Sequence, residues 1–498
     1  MKRIMHILCV NFLTCASVFA VTHRFPLELD GYIEKARKDW NVPGLAIVIV
    51  DAEGVIVAKG YGVRRLGGSA PVDADTQFDV ASLSKSFNAA MIATLVDEKK
   101  LRWDDRVRDV LPTVVFPDAI RDSEVTLRDL LAHRVALESG NLLIRLSGYD
   151  RDETFRRIRY FRPQGTFRSD YVYSNIMVSV SGAMAEQVAG TAWSALVRER
   201  LLDPLGMSSS NADENLDGPN TASPHAVIDA VQQPIRHFRF TTVAPAAAIV
   251  STANDMAKWL RFQLGDGSWN GKQIVSAASM EEMHSPQMII RTTAAMRSAR
   301  AVDFFAAYGF GWNVMDFHGH TMLWHSGNAN GMPSYMAILP KEKIGVAIMI
   351  NTWGAPILHG ALASRIFDTY LGIPPHDWSA EALAAFERQQ KRDAAVRERK
   401  PIAGTHPSLA LDDYAGVYVD PVFGDMAIKR EGDHLTLQFA KGEIGDLSHW
   451  QYDTFAVRWR DPADREDYPT LAVFSLNEDG RPARVEMQFN RDRVVAVR

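Results

Sequence analysis

Between residues 44 and 58 the chain carries its firmest constraint on fold. Gly44-Leu45-Ala46-Ile47-Val48-Ile49-Val50 is a continuous apolar run, followed by Asp51-Ala52-Glu53-Gly54 and then Val55-Ile56-Val57-Ala58. Two β-branched runs around a turn bearing Asp and Gly predict an antiparallel hairpin. The first run is apolar on both alternating faces, so it belongs inside a sheet that is covered on both sides. Strand texture returns at 308–315, 321–325, 334–339 and 345–350. The chain between is mostly of helical period. Phe87, Ala90, Met91, Thr94 and Leu95 form one apolar stripe, and further helical segments follow at 126–132, 174–189, 193–201 and 254–264. Pro219, Pro224, Pro234 and Pro245 mark 208–245 as irregular. Helical patterns at 27–40 and 356–370 bracket the whole. The expected class is α+β: an antiparallel sheet flanked by helices, with an inserted helical subdomain.

A change of texture follows. Residues 379–410 begin rich in Ala, Glu, Arg and Lys and reach Pro401 and Gly404, a charged helical linker. Residues 411–498 carry short strands at 416–419, 425–429, 435–439, 455–459, 471–476 and 485–489. Glu431-Gly432-Asp433 and Asn477-Glu478-Asp479-Gly480 read as hairpin turns between them. A small all-β, barrel-like domain is expected there.

At the other end, Lys2 and Arg3 precede an apolar run that finishes in Val18-Phe19-Ala20. This is the pattern of a secretory signal cut after Ala20, which predicts residues 1–20 as signal and a main domain over 21–378. It implies a secreted or periplasmic protein with no stable membrane insertion after cleavage. Both cysteines, Cys9 and Cys15, lie in that segment, so the mature chain would have no disulfide, cysteine nucleophile or Cys-based zinc site. Loss of Lys2 and Arg3 takes the formal charge from −5 to −7, and nothing in this balance points to nucleic acid.

Three short motifs carry the chemistry. Ser82-Leu83-Ser84-Lys85 is the one Ser-x-x-Lys of the chain, at the expected start of a helix, where residues three apart share a face. Tyr173-Ser174-Asn175 is the one Tyr-x-Asn, and His325-Ser326-Gly327 the one His-x-Gly, at the end of a strand. A serine hydroxyl needs a base to become a nucleophile, and a neighbouring lysine and a helix start supply part of that activation. In this order the set resembles the serine β-lactamase and penicillin-binding superfamily, in the branch related to class C β-lactamases that also holds D-aminopeptidases, D,D-carboxypeptidases and esterases. The resemblance covers most of residues 25–375, including Tyr308-Gly309-Phe310-Gly311-Trp312 and Asn328-Ala329-Asn330-Gly331. The stretch from Tyr414-Ala415-Gly416-Val417-Tyr418 onward is similar to a lipocalin-like domain appended to some of these hydrolases.

The resemblance implies that Ser82 is the nucleophile of an acyl-enzyme, Lys85 its partner, and Tyr173 the proton shuttle, base in acylation and acid toward the leaving group. It implies that Asn175, His325, Ser326, Gly327 and Asn328 bind substrate, with an oxyanion site between the backbone N–H groups of Ser82 and Asn328. No cofactor or metal is required. His325 stands where β-lactamases of this type carry lysine, a fixed cation for a substrate carboxylate, which favours peptidase, amidase or esterase action on a small peptide, amide or ester. The residues 130–137, Leu-Leu-Ala-His-Arg-Val-Ala-Leu, also lack the Ser-Gly common in relatives, and Arg134 there is placed to reshape the cleft rim or to serve as a surface charge. A catalytically slow penicillin-binding or sensor protein, or a weak β-lactamase, stays open as the alternative, as does a homo-oligomer. His318, His320 and His325 could be read as a metal cluster, but Met322 stands where an Asp is wanted and the histidines flank a hairpin turn.

Overall fold

The computed structural model describes residues 24–498 apart from 229, 293–304, 398–399, 462–469 and 490–491. The expected signal segment, 1–20, lies outside the described residues. Helix α1 (Leu27–Asp39) leads into β1 (Gly44–Val50) and β2 (Val55–Gly62). Helices α2 (Ser84–Asp97), α3 (Asn175–Ala189) and α4 (Ala253–Leu264) dominate the insert. The sheet resumes with β3 (Met288–Ile290), β4 (Ala306–Tyr308), β5 (Asn313–Phe317), β6 (His320–Ala329), β7 (Met332–Leu339) and β8 (Ile344–Ile350), before α5 (Leu358–Leu371). The order across the eight-stranded sheet is β2-β1-β8-β7-β6-β5-β4-β3, each pair antiparallel.

Strand β1 lies inside this sheet and is buried throughout, as its sequence requires. Ala46, Val48 and Val50 face one core with Phe87, Met91 and Trp259, while Leu45, Ile47 and Ile49 face a second with Ile33, Leu362 and Ile366. Each fully buried aliphatic side chain of this size contributes about 1.5–3 kcal/mol relative to exposure, so two such faces hold β1 firmly. The fold class is the expected one: a serine β-lactamase-like sheet and helices followed by a closed barrel.

Local departures have physical causes. The strand expected over 308–315 is interrupted between Tyr308 and Asn313. There Gly311 adopts φ +77°, and a Cβ on it would lie 2.6 Å from the Lys85 carbonyl carbon and the Ser86 nitrogen. The turn passes directly against the backbone of α2, which only glycine allows. The stretch expected as irregular, 208–245, contains a small hairpin, His225–Ile228 with Val231–Pro234. Its His225 is anchored by Asn351 O (2.7 Å) and by the Leu66 N–H (2.9 Å).

Residues 379–410, expected as a charged helical linker, are entered by α6 (Trp378–Arg397), which is helical as expected but not a free linker. Its first turns dock on the main domain: Ala382, Leu383 and Phe386 pack against the second core, and Trp40 Nε1 donates to Ser379 Oγ. Beyond it, β9 (Gly416–Asp420), β10 (Gly424–Glu431), β11 (His434–Phe439), β12 (Ile444–Gln451), β13 (Thr454–Trp459), β14 (Thr470–Leu476), β15 (Pro482–Phe489) and β16 (Asp492–Val497) close into a barrel. Strands β12 and β16 were not expected. In β12 the polar residues Asp446, Ser448 and His449 and a register shift between His449 and Gln451 blur the alternation. The barrel interior is filled by alternate side chains such as Tyr418, Met426, Ile428, Leu437 and Phe439.

The barrel is keyed into residues 138–162 of the insert. A Cβ on Gly442 would fall 1.6 Å from Leu146 O, and one on Gly424 would fall 2.0 Å from the Tyr149 hydroxyl. Arg157 donates to Pro421 O and Val422 O, Arg162 to Arg493 O and the buried Asp420 carboxylate, and Lys441 N to Ser147 O.

Candidate active site

The three motifs converge at the start of α2. The chain reaches it through a short strand, Phe78–Asp79, paired with Val250–Ser251. It then enters a 3-10 turn, Ala81–Leu83, ahead of α2. Ala81 sits at φ +45°, a conformation costing an L-residue about 1–2 kcal/mol, held here by its N–H donating to Asp79 Oδ1 at 2.7 Å. Asp79 is fully buried, and its other oxygen meets His237 Nε2 at 2.8 Å. The Ser82 side chain caps neither helical segment, so it is free of the structural task most common for a serine at this position.

Ser82 Oγ lies 2.9 Å from Lys85 Nζ and accepts from the Tyr173 hydroxyl at 3.0 Å. Lys85 is buried, and its two further contacts are Asn175 Oδ1 at 2.7 Å and Ala246 O at 2.9 Å. All three partners are neutral. Burial alone holds the Lys85 amine well below its ordinary range. Burial likewise pushes the Tyr173 phenol upward, and Lys85 Nζ sits 4.8 Å from its ring centre.

The third motif enters on β6. Gly327 has no room for a side chain: a Cβ would fall 2.2 Å from Val80 O and from Ser334 Oγ. Ser334, opposite Gly327 on β7, donates to Val80 O at 2.8 Å, so the two strands clasp the turn that carries Ser82. Ser326 is half-buried and Asn328 exposed.

His325 is placed otherwise than a substrate-facing residue would be. It is 3% exposed; Nδ1 bonds Ser326 O at 2.7 Å and Nε2 bonds the Tyr308 hydroxyl at 2.9 Å. A carbonyl only accepts, so Nδ1 carries the proton and Nε2 accepts from Tyr308. Burial pulls its pKa down to about 3, and the ring is neutral. It supplies no cation where the relatives' lysine would.

Arg134 is turned away from any rim role: it pairs at 2.5 Å with the buried Asp129, which Arg168 also holds. His318 and His320 meet Asp368 and Glu342 separately, and no group of three metal-ligating side chains occurs among the described residues.

Three residues here were not singled out by sequence. His133 is buried at φ +56°, its Nδ1 accepting from the Ser174 N–H at 3.2 Å and its ring 4.3 Å from that of Tyr173. Asn141 Oδ1 accepts from Asn175 Nδ2 at 3.0 Å. Ala246 acts through its carbonyl, which any residue would provide, so no residue type could have marked it. His133 at least had a signal, a lone polar ring ending an apolar helical segment.

A beta-lactamase family model matches residues 29–370. The chain belongs to the beta-lactamase family. A second model, a domain of unknown function (DUF3471), matches residues 400–495, the barrel. Among relatives of this family member, the unguisins hydrolase ungD' of Aspergillus campestris is 26% identical over 432 residues, covering 81% of this chain and 78% of its own. Penicillin-binding protein 4 of Amycolatopsis lactamdurans is 26% identical over 324 residues, 63% of this chain and 82% of its own. The octameric penicillin-binding protein homologue from Pyrococcus abyssi superposes with a TM-score of 0.62 at 21% identity, over 94% of this chain and 99% of that one. The family and its hydrolase-named members make a hydrolase of the beta-lactamase fold the activity class of this protein.

Proposed function

We propose that this family member is an exported serine hydrolase that cleaves amide or ester bonds through an acyl-enzyme on Ser82. One observation carries the reading: the neutral environment of Lys85. A neutral amine has two N–H groups and one lone pair. Lys85 Nζ donates to Asn175 Oδ1, Ala246 O and Ser82 Oγ; once burial has driven off the third proton, the first two contacts keep the remaining hydrogens and the lone pair faces the Ser82 O–H. Tyr173 donates to the same oxygen, so with the amine neutral the hydrogen bonds run one way, from Tyr173 to Ser82 to Lys85.

The base in acylation is therefore Lys85, whereas the family resemblance implies Tyr173 for that part. A buried phenol whose pKa is raised serves better as an acid than as a phenolate. Lys85 takes the Ser82 proton as Oγ attacks the acyl carbon. The oxyanion forms between the N–H groups of Ser82 and Asn328. On collapse the C–N or C–O bond breaks and the leaving group takes its proton from Tyr173, which Lys85 re-supplies. Water then attacks the acyl carbon, its proton passing to Lys85 as Ser82 regains its own.

The neutral, enclosed His325 favours substrates recognised without a carboxylate, which places peptide amides and esters ahead of β-lactams. The hydrolase-named relative supports turnover, and the octameric homologue supports a homo-oligomer. A fluorophosphonate probe followed by intact-mass spectrometry tests the reading. Wild type should take one adduct and Ser82→Ala none; an unlabelled wild type, or equal labelling of both, sinks it. A panel of D-amino-acid anilides, D-Ala-D-Ala peptides, p-nitrophenyl esters and nitrocefin then ranks the bonds cleaved. Stable acylation without turnover on the whole panel would assign the slow penicillin-binding or sensor role instead.

A further inference from the structure

We propose that Asp492, on the last strand of the barrel, is a positioning residue of the hydrolytic site in the other domain. The inference rests on the proposed role of Ser82 and follows two sets of hydrogen bonds joined by the backbone of one turn. Asp492 is 7% exposed and opens β16. Its carboxylate accepts from the Ser139 hydroxyl at 3.3 Å and from the Leu142 N–H at 3.1 Å. Between those residues the insert makes a tight turn at Gly140, φ +67°, where a Cβ would fall 2.5 Å from Ile176 Cδ1 and 2.8 Å from the Phe161 ring.

The opposite side of the same turn holds the second motif. Ser174 Oγ donates to Ser139 O at 3.2 Å, and Asn175 Nδ2 donates to Asn141 Oδ1 at 3.0 Å. Asn175 has one carboxamide to orient. With its NH2 fixed on Asn141, its oxygen is presented to Lys85 Nζ at 2.7 Å. Were the turn to drift, the carboxamide could rotate and set its NH2 against the amine, and the lone pair of Lys85 would no longer be reserved for Ser82. Asp492 thus acts on Ser82 through four intervening groups without touching substrate.

The rest of the interface makes this separable from docking. Arg157, Arg162, Lys441 and the two interlocking glycines hold the barrel in place without help from Asp492. Removing its carboxylate should loosen the turn and leave the domains joined. Asn can replace it: the amide oxygen accepts from Leu142 N–H while the NH2 donates to the Ser139 oxygen.

The test uses the full-length protein and the rate at which a fluorophosphonate phosphonylates Ser82, with loss of fluoride, together with kcat and KM on whichever panel substrate is cleaved. Asp492→Ala and Asn141→Ala should each slow this labelling by roughly tenfold or more, the scale expected when a reacting pair is misplaced by a fraction of an ångström. The loss should fall on kcat rather than KM. The double variant should be no slower than the worse single, because both changes break one link. Asp492→Asn should stay within about threefold of wild type while Asp492→Leu, which keeps the bulk but not the acceptor, should be as slow as Asp492→Ala, a split that a general packing role would not predict. Wild-type rates in Asp492→Ala, or losses that multiply in the double variant, overturn the proposal. If Asp492→Ala does not fold, Asn141→Ala decides alone, and a wild-type rate there is equally fatal. An unlabelled wild type would instead bring down the Ser82 reading, and the positioning role with it.

Discussion

Lys85 Nζ stands 2.9 Å from Ser82 Oγ, and the other two hydrogen bonds of that nitrogen end on carbonyl oxygens. A lysine so placed, with no anion beside it, suits the proposed role of base. Replacing it by methionine should lower kcat/KM by about 10²–10⁴-fold, the usual worth of a positioned base.

The same substitution carries a stability signature. Burial lowers the folded-state pKa of Lys85 well below 10.5, so between those two values the unfolded chain binds the proton and the folded one does not. Stability then rises with pH. Wild type should gain on Lys85→Met in denaturant melts as pH climbs from 7 toward 10; a constant difference would mean that the amine is charged in the fold.

Tyr173→Phe keeps the ring and removes the hydroxyl that reaches Ser82. Turnover should fall by about 10²–10⁴-fold. Stability should change by no more than about 1.5 kcal/mol, the net worth of one such hydrogen bond. Near-normal kcat would remove Tyr173 from the proton path.

Glu138 lies close to Asp492 and Asp420 at the barrel interface, and burial, with those two carboxylates adding, pushes its pKa up to about 7. The unfolded chain releases this proton near 4.5, so wild type loses stability as pH rises from about 4.5 to 7. Glu138→Gln, which can still accept from the Arg162 N–H, should gain steadily on wild type over that window and level off above it. Parallel melting curves across the range would rule this out.

Gly442 has the carbonyl of Leu146 where a side chain would begin. Gly442→Ala should cost about 1–3 kcal/mol as an overpacked contact. Faster proteolysis between the domains should accompany the loss. A variant as stable and as protease-resistant as wild type would show that the two surfaces have slack.

Much of this was legible in the chain, for stated reasons. The all-apolar β1 demanded cover on both faces, and the three motifs mark the residues the fold gathers at the head of α2. What the sequence hid depends on approach distance. Gly311 looked like part of a strand, because nothing local reveals that the Lys85 backbone lies against it. Ala136 stands in the departure from Ser-Gly, yet keeps φ +59°, so the backbone retains a glycine-like bend that its letters do not announce. His325 read as a residue facing substrate; only its burial and its bond to Tyr308 show otherwise. The inner half of the helix at Trp378–Arg397 was masked by its charges, and Asp492 by distance along the chain.

The pairing of β1 with β8 joins Leu45 to Ile350. The turn bearing Ser82 is likewise clasped by Ser334, so the reactive group sits early in the chain and its scaffold late. Contacts this far apart in sequence make for slow folding, since the long loop must close before it is rewarded. On a growing chain the serine would therefore stay chemically ordinary until some 350 residues had emerged and the sheet had closed over it. On the proposed role of Ser82, reactivity is timed by topology: a partly folded chain would carry the serine without the means to activate it.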